Sequence, residues 1–313
     1  MDWRIKASLQ KILSLSRIGD RLNHIPATHH KNYHHNVVTY QFYECLRKFE
    51  YTNLDLNQEC KALEIGTGYS IISPVILFLL GFDKIVTVDI DKDVSFRTFR
   101  KQIIFLCSEN FIKQIMDRGI YQEKVIKEKL DKIVTLKNIE EVLEFCNITY
   151  KSSYTLDDIE NEGIIFEYIY SQVVFEHIPP TFLIALFKKL KTWLKQDCFT
   201  VHTVNFIDHY ANPGIFEDKK ISEFNFLRFS DSYWNFWSGN SIAYTNRLSY
   251  IYYLDLFKEN KMEVIHFIGE NYRPQKILDH KQIHKDIIKK YNSKPDLLEL
   301  TKYQRGTFIV KNS

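Results

Sequence analysis

The sequence predicts an α/β protein: a mostly parallel seven-stranded sheet with helices on both faces and an antiparallel last strand. Three observations carry this. Short apolar runs rich in β-branched residues alternate with helical runs through the middle of the chain, which implies parallel strands joined by crossover helices. The first such run ends in a glycine turn that leads directly into an apolar helix. Two later strand-like runs suit an antiparallel pair closing the sheet edge.

The elements follow in order. Residues 1–58 read as a helical N-terminal lid. Within it, Ser8 to Ile18 carries Leu9, Ile12, Leu13 and Ser16 at helical spacing, and Val37 to Phe49 repeats the pattern with Tyr40, Tyr43, Cys45 and Leu46. Residues 59–313 are expected to hold the core, with helical insertions at 111–147, 211–260 and 270–303. Lys61 to Ile65 is the first strand. Ser73 to Leu80 is a buried helix closed by Gly81. Lys84 to Ile90 is the second strand, and Ser95 to Cys107 a helix. Tyr121 to Lys137 is a charged amphipathic helix, with Ile126, Leu130, Ile133 and Val134 on one face. Glu123–Lys127 and Glu128–Lys132 sit at i,i+4 on the other. Ile148 to Lys151, Glu167 to Ser171 and Phe199 to Val204 are the third, fourth and fifth strands. Met262 to Ile268 and Thr307 to Lys311 complete the set, separated by a helical stretch from Lys281 to Tyr303 broken at Lys294–Pro295.

Composition narrows the function classes. With 313 residues, 45% hydrophobic and 26% charged, the chain can bury a real core. A net charge of +3 gives no strong electrostatic case for a polyanion, so no nucleic-acid partner is expected. The five cysteines form no CxxC pair, which argues against both a disulfide framework and a zinc ribbon. Buried free thiols in a reducing compartment are the plain reading. The first residues lack the apolar stretch of a signal peptide. The most apolar run, Ile71 to Leu80, is far short of the roughly 20 residues that span a bilayer. A cytoplasmic protein with no membrane span is expected.

The densest chemical signal is Ala62-Leu63-Glu64-Ile65-Gly66-Thr67-Gly68-Tyr69-Ser70, where a strand hands over to a helix. Glycines there permit a tight turn and close ligand approach. The crevice at the carboxyl end of the first strand is where open α/β sheets bind ligands. A dinucleotide fingerprint needs a third glycine, and Ile71 occupies that position. No Walker loop occurs, and Glu64 would repel a phosphate. A zwitterionic ligand with an amino group and a ribose fits better. Asp89 ends the second strand about 20 residues after the turn, the spacing at which a carboxylate accepts from ribose hydroxyls. Ile90 is placed to pack on an adenine.

These residues, in this order, resemble the class I S-adenosylmethionine-dependent methyltransferases, whose core is Rossmann-like. Leu63-Glu64-Ile65-Gly66-Thr67-Gly68 looks like their first motif, and Val88-Asp89-Ile90 like the acidic end of their second strand. Phe166 to Ile178, with Phe175-Glu176-His177, resembles their fourth strand and the segment after it. The resemblance covers roughly residues 60–205 and implies S-adenosyl-L-methionine as cofactor. Glu64, Gly66 and Gly68 would then hold its methionine end and Asp89 its ribose, with Thr67, Tyr69, Ile90 and Ser171 also expected at the cofactor. The family's third strand usually ends in an Asp near the adenine; here Lys151-Ser152-Ser153-Tyr154 departs from that pattern, and Ser153 stands as the substitute.

Methyl transfer from a sulfonium needs alignment above all. A hydroxyl acceptor also benefits from a general base, for which histidine suits neutral pH. His177 follows the fourth strand, His202 lies within the fifth, and His209 follows it beside Asp208. His202 and His209 are the expected bases, with Asp208 orienting. Phe224 to Trp234 and Asn246-Arg247-Leu248, with these histidines, are similar to a bacterial subgroup of the same methyltransferases. Arg228 and Arg247 could fork onto a carboxylate or phosphate and the aromatics stack on a sugar; alternatively Phe224, Phe226 and Phe229 are core and Ser230 caps a helix. His24, His29, His30, His34 and His35 crowd one segment, where an inward-facing lid with Tyr33 and a solvated polar helix face are equal readings, both preferred over a metal site. The expected activity is methyl transfer to an O or N atom of a small-molecule or saccharide acceptor. An NAD-dependent oxidoreductase and an inactive cofactor-binding partner protein are the alternatives.

Overall fold

The computed structural model describes residues 1–15, 32–153, 155, 156, 159, 163–211, 216–274, 276–291 and 295–313. Seven strands, β1 (Lys61–Ile65), β2 (Lys84–Asp89), β3 (Ile148–Ser152), β4 (Phe166–Gln172), β5 (Leu194–Asn205), β6 (Glu263–Glu270) and β7 (Arg305–Lys311), form one sheet. Its order is β3-β2-β1-β4-β5-β7-β6. β1 runs parallel to β2 and β4, and β2 to β3, with Ile65 level with both Val88 and Ser171, and Asp89 level with Ser152. β5 continues parallel to β4: Thr200 Oγ1 donates to Ile169 O, and Val173 N–H to Thr203 O. β7 reverses. Asp197 N–H donates to Asn312 O and Phe206 N–H to Gln304 O, so one number rises as its partner falls. β6 opposes β7 in the same sense, with Gly269 against Tyr303 and Gly306 against Phe267. This is the mostly parallel sheet with an antiparallel last strand that the sequence implied.

The chain divides into two compact units. One comprises residues 32–172, 188–202 and 309–313; the other comprises 1–31, 173–187 and 203–308. The segment expected as a lid, 1–58, therefore has residues in each.

In the first unit lie α2 (Tyr33–Glu50), α3 (Ile72–Leu80), α4 (Phe96–Leu106), α5 (Glu109–Met116), α6 (Glu123–Thr135) and α7 (Ile139–Phe145). α3 is apolar around its whole circumference and correspondingly buried at eight of nine positions. Gly81, at φ 122, ends it as expected. Ser95, Ser108 and Asn138 cap α4, α5 and α7, each accepting from a backbone N–H in the first turn. Two expectations need correction. On α6, Ile126, Leu130 and Ile133 are buried, but Val134 is 42% exposed, because it lies one step off the stripe. On α2, Cys45 and Leu46 are buried with Val38, Phe42 and Phe49, whereas Tyr40 and Tyr43 face outward. The free thiols Cys45, Cys60 and Cys146 are buried, but Cys107 is exposed.

In the second unit, α1 (Trp3–Leu13), α9 (Asp231–Ser238), α10 (Tyr250–Glu259) and the short α11 (Lys285–Ile288) pack on an aromatic core. α8 (Pro180–Trp193), β5 and β7 have residues in both units. Trp3 is the hub of that core, with ring centroids 5.5–5.6 Å from Tyr210, Phe229 and Trp234. α1 thus buries Trp3 and Ala7, while Leu9 and Ile12 are at least half exposed, the reverse of the stripe the sequence suggested. Ser16 and Ile18 lie outside the described residues. The stretch from Lys281 to Tyr303 contains α11 and short 3₁₀ turns at His280–Gln282 and Glu299–Thr301 rather than one helix. Lys294, where a break was expected, lies outside the described residues.

Candidate functional site

The glycine turn sits where the chain's progression across the sheet reverses. From β1 the strands run outward through β2 and β3, and β4 then returns to β1's other side. Open α/β sheets leave their ligand crevice at that point. Gly66 (φ 87) and Gly68 (φ 58) are both left-handed, a conformation that costs other residues about 1–2 kcal/mol. Gly66 and Thr67 N–H both reach Val88 O. Gly68 N–H donates to Asp89 Oδ2 at 2.7 Å, so the turn and the acidic end of β2 are clamped together. A Cβ at Gly68 would meet no atom within 4 Å, which leaves open space above the turn. Asp89 is half-buried; its Oδ1 accepts from Asp91 N–H at 3.2 Å, and each oxygen keeps a lone pair for a hydroxyl. Ile90 is 76% exposed beside it. Ser153 is exposed, at φ 58, one residue past the Ser152 that pairs with Asp89. Tyr69 is half-buried within the turn.

Two expected contacts point elsewhere. Glu64 is 6% exposed and accepts from Thr87 Oγ1 at 2.6 Å, with the Thr67 hydroxyl linked on at 2.6 Å. Burial pushes its pKa up to about 8. Ser171 is fully buried and bonds His202 Nδ1 at 2.8 Å, so its side chain faces the interior rather than the crevice. Unanticipated residues come close instead. Ser70 Oγ lies between Gln41 and Gln102. From α2, Lys48 Nζ and Tyr40 OH both bond the Gln172 amide at the end of β4. Lys48 is buried, and its pKa falls to about 8 through loss of solvent. The trace of Lys48 in the sequence is a lysine three residues after Cys45, on the same helix face.

His202 is a core residue. Thr200 Oγ1 gives its hydrogen to Ile169 O, so it accepts from His202 Nε2 at 2.5 Å, and Nδ1 accepts from Ser171. Both ring nitrogens are engaged, the side chain has no exposed surface, and burial drops the pKa to about 3. The expectation of a base at His202 is corrected on that geometry. Asp208 is corrected too. It is fully buried, accepting from Tyr210 N–H (2.8 Å) and Asn225 Nδ2 (3.3 Å), and holds a loop rather than a histidine.

His177 and His209 do meet, with ring centroids 5.0 Å apart. Glu176 joins them, and one ligand atom of each lies within 4.8 Å of the others. Glu176 belongs to a 3₁₀ turn, Phe175–His177, that Asn246 grips from both sides. Asn246 Nδ2 donates to Phe175 O and Ile178 O, and its N–H to Glu176 O. His177 Nδ1 donates to Tyr244 O at 3.0 Å, which leaves Nε2 as the open nitrogen. Glu176 was quoted in the motif without a role; its burial between two histidines is visible only in three dimensions.

The other expected acceptor residues are spent internally or exposed. Arg247 is 3% exposed, donates to Phe226 O and Phe229 O at 2.8 Å, and pairs with Asp231. Lys290 shares that carboxylate at 2.9 Å. Arg228 is exposed, Phe224 and Phe226 are core, Phe229 is partly buried against that core, and Ser230 caps α9. Arg247 and Lys290 line a pocket of about 300 Å³ with Tyr244 and Asn235; a shallower depression of about 520 Å³ lies among His35, Tyr43 and Phe105. Neither includes a residue of the glycine turn. Tyr33 and His34 are half-buried at the start of α2, and the His35 ring packs on Phe105. His24, His29 and His30 lie outside the described residues. No helix among the described residues is long and apolar enough to cross a membrane.

No protein-family model matches the sequence, and no curated protein matches it. Solved structures resemble it in shape. A chain of the complex between the Haloferax volcanii Trm112 methyltransferase activator and a methyltransferase aligns over 90% of this chain and 94% of its own, at 8% identity and TM-score 0.44. Haemonchus contortus phosphoethanolamine N-methyltransferase 2, in complex with S-adenosyl-L-methionine, aligns over 86% of this chain at 13% identity and TM-score 0.42; the match spans 52% of its own length. An S-adenosylmethionine-dependent methyltransferase from Mesorhizobium loti aligns over 87% and 97%, at 11% identity and TM-score 0.40. At such scores the fold rests on the strand order and register described above.

Proposed function

We propose that this chain is an S-adenosylmethionine-dependent methyltransferase acting on an O or N atom of a small-molecule or saccharide acceptor. The carrying observation is the clamp between Gly68 N–H and Asp89, set in open space at the reversal point of the sheet. It presents a left-handed glycine turn and a ribose-binding carboxylate side by side. Gly66, Gly68 and Tyr69 would receive the methionine end, Asp89 the ribose, and Ile90 with Ser153 the adenine. Glu64 and Thr67 support the turn from beneath, through Thr87. The cofactor, when bound, supplies an electrophilic methyl group; the residues of the chain bind and orient it. Ile71 is fully buried where a dinucleotide turn needs its third glycine, which disfavours the NAD-dependent alternative. Of the four residues expected to act on the acceptor, His177 and His209 keep an unengaged ring nitrogen. Five unpaired cysteines suit a cytoplasmic enzyme.

Isothermal titration with S-adenosylmethionine, S-adenosylhomocysteine and NAD tests the reading. Both adenosyl ligands are expected to bind the full chain, and both Gly66→Arg and Asp89→Ala to abolish that binding. Absence of adenosyl binding, or NAD binding in its place, overturns it. Adenosyl binding without turnover over an acceptor screen would favour the inactive-partner alternative.

A further inference from the structure

We propose that Glu176, His177 and His209 form a binding site for a divalent first-row transition metal. Two carboxylate and imidazole atoms point to it. Glu176 is 3% exposed, its Oε1 accepts from Asn205 N–H at 3.3 Å, and its buried Oε2 has no partner. His209 Nε2 is likewise buried without a partner. Most buried polar atoms are satisfied, so an unpartnered carboxylate oxygen and an unpartnered imidazole nitrogen in one cluster of three residues suit a shared occupant. His177 completes the set. Its Nδ1 proton is committed to Tyr244 O, the arrangement by which a backbone carbonyl fixes the tautomer of a metal-bound imidazole.

A cation satisfies all three ligand atoms at once. Metal bonds to these atoms are about 2.0–2.2 Å, so ligand atoms lie roughly 3 Å apart. One ligand atom of each residue already lies within 4.8 Å of the other two, somewhat wider than that spacing. Lys6 of α1 approaches the cluster, its Nζ meeting His209 O at 3.5 Å, and is offset by Asp208 and Glu217. Two imidazoles and one carboxylate select a transition metal over magnesium or calcium and leave coordination positions open for an oxygen ligand. Asn246 keeps the Glu176–His177 turn in place from outside the coordination shell.

The test uses the full chain, stripped with a chelator and titrated with Co(II), whose visible spectrum reports imidazole and carboxylate coordination. One equivalent is expected to bind. Glu176→Gln and His209→Asn should each weaken it roughly tenfold or more, while His34→Asn/His35→Asn and His266→Asn leave it unchanged. Circular dichroism identifies any variant that fails to fold, and His177→Asn then takes its place. No saturable Co(II) binding to the natural chain overturns the proposal. So does unaltered binding by folded Glu176 and His209 variants, or loss of binding in the His34/His35 variant. Binding is read without any adenosyl ligand, so failure here leaves the methyltransferase reading standing.

Discussion

His202 and His209 are seven positions apart and burial pushes the pKa of both imidazoles down to about 3, yet their hydrogen bonding differs: both nitrogens of His202 are engaged, while His209 Nε2 has no partner. Both bonds of His202 stay within the sheet, to Ser171 and Thr200. His202→Ala would leave the buried Ser171 hydroxyl unpaired, at about 1–3 kcal/mol; urea denaturation should show that loss. The sequence could not separate the two because a parallel sheet covered on both faces lacks the polar–apolar alternation that reveals which way a side chain points. Glu64 shows the same limit. Its place before the glycines was legible, but its turn toward Thr87 was not. Its pKa is raised by burial to about 8, so the folded state holds a proton that the unfolded chain has released. That contribution to stability is complete below about pH 4.3 and is lost as pH rises through 8. The thermal midpoint of Glu64→Gln is therefore expected to fall less between pH 5 and pH 9 than that of the natural chain. Parallel pH dependence in both would refute the assignment.

At the level of elements, the strands were the most legible feature, since β-branched runs bounded by turns leave little ambiguity. All seven appear, most of them a residue or more longer than expected because pairing extends past the apolar run. Helix ends were legible where a cap was present. Ser95, with extended backbone and a side chain accepting from Thr98 N–H, should cost α4 about 1 kcal/mol when replaced by alanine, read by thermal denaturation. The stretch from Lys281 to Tyr303 departs from the single helix that its spacing predicts, for a physical reason. Ile283, Ile287 and Tyr291 are buried at a spacing of four, as a helix would place them. Short turns satisfy the same burial, so spacing reports which side chains are inside and not the backbone between them. The β6–β7 pairing makes a further prediction. A Cβ at Gly306 would stand 2.4 Å from the Phe267 ring and 2.9 Å from Phe206. Gly306→Ala should destabilise by about 1–3 kcal/mol, whereas Gly68→Ala, which meets open space, should cost only its backbone conformation. Equal losses from the two would contradict the packing described.

For the molecule as a whole, composition spoke to partners more clearly than to substrate. A net charge of +3 over 313 residues gives little long-range attraction to phosphates. The chain is expected to leave an immobilised DNA duplex at physiological salt; retention there, with a steep salt dependence, would expose a basic surface that composition conceals. The cofactor turn was legible because backbone geometry forces glycine into it and strand spacing forces the acid. The grouping of Glu176 with His177 and His209 was not, because it joins residues more than thirty positions apart, and no local pattern records that meeting.

β7 lies inside the sheet, between β5 and β6, although it is made after both. Asp197 waits for Asn312 across more than a hundred residues of chain. During synthesis β5 and β6 therefore each present an unpaired edge until residues 305–311 emerge, and bare edges recruit other chains. Such long-range closure slows folding. Aggregation of nascent or refolding chains should thus depend on how soon this one segment arrives, and a peptide of its sequence supplied in trans is a natural competitor for the gap.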